Sequence, residues 1–185
     1  MKNQSYMFRT VKKTLDYIIY NIGNDIKNPH SVMESVNISK ALCRTDTSCN
    51  RLSGLFLLIC EKAKTLYFRT LALQEALKVP GNTCAKQYFS ECRRVILNTL
   101  SLFSTLLPQN NEPYFPYARN TVLAETEAAL CHAKTFRLAV LNSRGKIFSA
   151  LPELEFIYEC TEILRKTKML LDIYDIVYNK FTVST

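Results

Sequence analysis

A chain of 185 residues, 48% hydrophobic and 22% charged, is long enough for one substantial core and too apolar to stay disordered. With 4 Gly and 6 Pro it has few places to turn, which disfavours a sandwich or barrel of many short strands and favours a few long helices. The formal net charge of +8 points to acidic partners, nucleic acid among them, although the basic residues are spread in pairs and triplets, as on solvated helix faces.

The first helix spans roughly 5 to 22, where Ser5 can cap it and Phe8, Val11, Leu15, Ile18 and Ile22 recur at helical spacing. Gly23, Asn24, Asp25 and Asn28-Pro29 break it. Ser31 to Glu34 has the form of a capping box opening a short second helix, about 31 to 43. After a polar turn at 44–50, in which Asp46, Thr47 or Ser48 offers a cap, Leu52, Leu55/Phe56, Ile59, Ala63, Leu66, Thr70, Leu73 and Leu77 form the longest stripe in the chain. Leu57, Leu58, Phe68 and Leu71 lie off that stripe, so the third helix is apolar on more than one side and belongs near the centre.

Val79-Pro80-Gly81-Asn82 stops it, and Thr83 can cap a fourth helix with Phe89, Cys92, Val95/Ile96, Thr99, Leu102/Phe103 and Leu106 inward and Arg93 and Arg94 outward. A long interruption follows at 108–120, carrying three of the six prolines and crowding Tyr114, Phe115 and Tyr117 into four positions. A fifth helix starts at Asn120 or Thr121 and lines up Val122, Thr126, Ala129, Ala133, Phe136 and Val140. Pro152 suits the first turn of the sixth, whose inward face runs from Phe156 to Phe181 and on which Glu162 and Lys166 are spaced to pair.

The expected fold class is therefore all-α. Residues 1–185 form a single domain, with an N-terminal helical pair at 5–44 and an antiparallel four-helix bundle of long helices at 48–181. Short connections pair the third helix with the fourth and the fifth with the sixth. The aromatic loop hinges the two hairpins, and the shorter first pair lies across one face or end.

The motifs exclude more than they include. Seven cysteines, an odd number without a disulfide rhythm, suit a cytoplasmic or other reducing compartment; no cleavable leader follows Met1, and leaderless export stays open. The longest apolar run, Leu55 to Cys60, is six residues against the roughly 20 needed to span a bilayer. No CxxC or HxxxH spacing is present to hold a metal, and the isolated Gly23, Gly54, Gly81 and Gly145 make no phosphate loop, so no cofactor is expected. His132 lacks the lysine and glycine that follow a phosphotransfer histidine, since Thr135 and Phe136 occupy those positions. No carboxylate pair is set apart as acid and base, and no catalytic residue is assigned.

Two candidate surfaces remain. Tyr114, Phe115, Tyr117 and Arg119 are residue types that serve protein interfaces well, combining large contact area with polar tips. Lys86, Arg93 and Arg94 with Arg165, Lys166 and Lys168 would make an anion or nucleic-acid patch if the fourth and sixth helices bring them together. The functional expectation is a non-catalytic protein-interaction or adaptor module. Its richness in Asn, Ile, Lys and Tyr is compatible with an AT-rich microbial or viral genome and a host-directed role. A basic nucleic-acid-binding bundle is the alternative, and the first helix's stripe would also serve a homodimer.

Overall fold

A computed structural model of the chain describes residues 2–45, 50–78, 83–107, 116–143 and 147–183. Six helices make up nearly all of these residues, and no strand occurs among them: α1 (Lys2–Gly23), α2 (Pro29–Thr45), α3 (Asn50–Ala76), α4 (Thr83–Leu106), α5 (Pro116–Ser143) and α6 (Ile147–Val183). The all-α expectation holds. None of the helices is long and apolar enough to cross a membrane among the described residues.

The helix starts correct the sequence reading in instructive ways. Ser5 falls inside α1, which already opens at Lys2. α2 begins two residues before the expected capping box, because Asn28 receives the Ser31 N–H on its side-chain oxygen and the Val32 N–H on its carbonyl. Pro29 follows as the first helical residue, where a missing N–H costs nothing. Proline plays the same part at the start of α5, which opens at Pro116 and not at Asn120. Pro152, by contrast, lies inside α6, past the first turn that opens at Ile147. Glu162 pairs with Arg165 and not with Lys166. The Asp46–Ser48 caps and the Val79–Asn82 stop lie outside the described residues.

The stripes are buried as their spacing requires. Val11, Leu15 and Ile18 on α1, Ile59 and Ala63 on α3, and Cys160, Leu164, Leu171 and Val177 on α6 are wholly inaccessible, while Leu106 and Phe136 reach only the margin of the core. Three buried threonines satisfy their hydroxyls by donating to the carbonyl one turn back, Thr70 to Leu66, Thr126 to Val122 and Thr167 to Ile163.

Of the two expected hairpins, α5 packs along α6 as anticipated, but the other does not form. α3 and α4, though consecutive, share only a short stretch. Four helices form an inner ring in the order α1, α3, α6, α4, with α2 covering α1 and α3 and α5 covering α4 and α6. α1 is thus a core helix, whereas α5 is an outer one. The reason is area: α1 offers Met7, Val11, Leu15, Ile18 and Ile22 to its neighbours, while the inward line of α5 is built mostly of Val, Ala and Thr, and its Leu138 and Leu141 stay exposed.

Cross-helix contacts fix the directions. Lys12 reaches Ser104 and Arg93 reaches Ile22, so α1 and α4 are antiparallel. Asn98 meets Glu125 and Glu91 meets His132, as antiparallel α4 and α5 require. Arg119 meets Asp175 and Lys168 meets Glu127, which makes α5 and α6 antiparallel too. The chain therefore falls into two three-helix units, α1–α2–α3 and α4–α5–α6, each with all three of its helices in mutual contact. They are joined mainly through α1 on α4 and α3 on α6.

Candidate functional site

The expected site residues are dispersed. Tyr114 and Phe115 lie outside the described residues, and so does the side chain of Tyr117, in the first turn of α5. Arg119 is committed to structure: its Nε donates to Asp175 Oδ1 at 3.0 Å and a second nitrogen to the other carboxylate oxygen, a fork that ties the start of α5 to α6. Arg93, expected to point away, is half-buried against α1. Its Nε donates to the Ile22 carbonyl at 2.9 Å, Nη2 to the Gly23 carbonyl at 2.5 Å, and Nη1 lies 3.0 Å from Asp25. A cation at those orphan carbonyls caps α1.

Of the remaining basic residues, Arg165 pairs with Glu162 on its own helix and Lys168 with Glu127 on α5. Lys86 and Arg94 are exposed, without a partner among the described residues. Lys86 and Arg93 share a groove; Arg165, Lys166 and Lys168 are not among its walls.

That groove, about 560 Å³, runs between the α1–α2 turn, the end of α3 and the start of α4. Lys86, Phe89, Ser90 and Arg93 line it as one stripe of α4, facing Asp25, Lys27, Gln74, Leu77 and Lys78. Asp25 sits at φ 56°, a left-handed conformation that Asp tolerates better than most residues. Its carboxylate is held there by Arg93 and by the Gln74 amide. Lys27 and Lys78 both pair with Glu75. The Lys78 ammonium close beside it, then desolvation, hold the Lys27 ammonium below its ordinary value. The Gln74 amide oxygen is buried without a partner.

A second groove, about 940 Å³, is apolar and lies along the outer face of α2, lined by Pro29, His30, Met33, Glu34, Asn37, Ile38, Ala41 and Phe68. α2 buries Val32, Val36, Ser39 and Cys43 on one side, yet on the other exposes Met33 and Ile38, at 36% and 49%. The sequence carried a trace of this surface. Met33, Ile38 and Ala41 form a second apolar line on a helix too short to need two, and Phe68 lies off the main stripe of α3.

His132 is exposed and its Nδ1 lies 3.0 Å from Glu91 Oε1 on α4, while Cys131 beside it points to solvent. The pair joins α5 to α4 and brings no nucleophile to the histidine. No group of three His, Cys, Asp or Glu side chains converges on one point among the described residues. Compared with known protein families, characterised proteins and solved structures, the chain matches none.

Proposed function

We propose that this chain is a non-catalytic interaction module which holds a short amphipathic helix of a partner protein in the groove along α2. The exposed apolar line of α2 against Phe68 carries the reading. From His30 to Ala41 it extends about 17 Å at ~1.5 Å per residue, enough to seat roughly three turns of a partner helix through anchors at i, i+3, i+4 and i+7. The chain's net charge of +8 favours a partner whose exposed flank is acidic. In this arrangement α1, α3, α4 and α6 act as the rigid support and α2 as the recognition element. The composition fits a microbial or viral protein directed at a host partner.

A photo-crosslinking residue in place of Met33 tests this in the native cell. It should capture a distinct protein, in high salt as well as low, and Ile38→Asp should abolish the capture without loss of helicity. Retention of that partner by Ile38→Asp, or crosslinks only to a second copy of the chain, would overturn the reading. Replacing Tyr114, Phe115 and Tyr117 by Ala tests the loop in the same assay.

The nucleic-acid alternative has less support. It requires free cations aligned along a phosphate backbone, whereas Arg93, Arg165 and Lys168 are each engaged with groups of the protein itself.

A further inference from the structure

We infer that the groove between the α1–α2 turn, the end of α3 and the start of α4 is a binding site for a phosphorylated polyol, with Lys27, Lys78 and Lys86 as its phosphate ligands. The charges there do not balance. Arg93 and Asp25 neutralise one another, with the remaining guanidinium hydrogens on the α1 carbonyls. That leaves three ammonium groups against the single carboxylate of Glu75, which already pairs with two of them. Lys86 has no partner among the described residues, and Lys27 and Lys78 are drawn together on the one Glu75 carboxylate, where their like charges oppose each other. A dianion placed among the three supplies the missing charge. Lysines suit it, since each is a point donor that needs no planar fork.

The rest of the groove suits the body of such a ligand. Gln74 lines the groove beside Asp25. The Ser90 hydroxyl donates to the carbonyl of Lys86 and keeps its lone pairs open. Phe89 and Leu77 supply apolar walls for a carbon ring. A volume of about 560 Å³ lies within the range of small-molecule sites. Asp25 faces the same space, yet its charge is spent on Arg93 and Gln74.

Titration calorimetry on the full chain tests the site with three probes: myo-inositol 1,4,5-trisphosphate, vesicles of phosphatidylcholine containing phosphatidylinositol 4,5-bisphosphate, and a single-stranded RNA oligonucleotide. The trisphosphate should bind with micromolar affinity. Lys78→Gln/Lys86→Gln should weaken it by about ten- to a hundred-fold, as loss of charge-assisted hydrogen bonds does. The control Arg94→Gln/Lys134→Gln removes the same charge elsewhere and should leave binding within about twofold. Vesicle binding much tighter than that of the soluble trisphosphate, and lost in the same variant, assigns the site to a lipid headgroup; comparable affinities assign it to a free polyol phosphate. Equal loss in both variants reduces the effect to net charge and overturns the inference. So does an RNA affinity above that of both phosphate probes, or no binding of either below millimolar concentration. Unaltered helicity of Lys78→Gln/Lys86→Gln excludes unfolding as the cause.

Discussion

Two residues deep in the molecule show how a single polar atom changes what its neighbourhood tolerates. Thr99 is wholly buried on α4, and its hydroxyl has no partner, unlike that of Thr70, Thr126 or Thr167. An unpaired buried hydroxyl costs free energy that a methyl group of the same size does not. Thr99→Val should therefore stabilise the fold by about 1 kcal/mol, read as a higher urea midpoint with an unchanged slope. Cys60, on α3, is pushed up to about 12, first by desolvation and then by Cys43 and the charge of Glu61, while Ser39 and Lys40 pull the other way. Its native value lies above the unfolded one of 9.0, so its contribution is complete below about pH 9 and is lost as pH rises toward about 12. Burial raises the Tyr88 hydroxyl, and contact with Cys92 followed by burial raises the Cys160 thiol, giving slopes of the same sign. Urea midpoints taken at rising alkaline pH should fall less steeply for Cys60→Ala than for the parent chain, even though the variant starts lower.

At the level of the helix, period revealed membership in the core but not partnership. Stripes such as Val11, Leu15, Ile18 and Ile22 marked α1 as amphipathic, and the structure buries every one of them. Nothing in that spacing says which helix lies opposite, so short connections were the only guide to pairing, and they misled for α3 and α4. The same limit applies to the grooves. Lys86, Phe89, Ser90 and Arg93 form a legible stripe, but Lys27, Gln74 and Lys78 reach it only through the packing of three separate segments. Arg93 looked solvent-facing because its partners are backbone carbonyls, which sequence does not display. Between helices, the ion pairs rank by shielding. The side chains of Arg119 and Asp175 are 17% and 45% exposed, against 43% and 54% for Lys168 and Glu127. A double-mutant cycle should give a coupling of about 1 kcal/mol for the first pair and only a few tenths for the second.

Across the whole molecule, the division into two three-helix units predicts how it comes apart. Each unit lays two helices against the other, α1 meeting α4 and α3 meeting α6. The apolar face of α1 is thus only partly covered by its own unit. Separate fragments 1–80 and 81–185, expressed together, should purify as a one-to-one complex with the helicity of the intact chain by circular dichroism. Each alone should be less helical and prone to associate. Fragments that remain monomeric and fully helical apart would show that the halves are independent domains.

The position of α1 also sets a schedule for biosynthesis. It emerges from the ribosome before the other five helices described, yet its α4 partner ends at Leu106, some 80 residues after Gly23. At about 5–20 residues per second that interval is roughly 4 to 16 s. During it Met7, Val11, Leu15 and Ile18 have only α2 and then α3 to shelter them. The nascent chain therefore passes through a window in which the apolar face of one of its core helices is open to chaperones and proteases, and the arrival of α4 closes it.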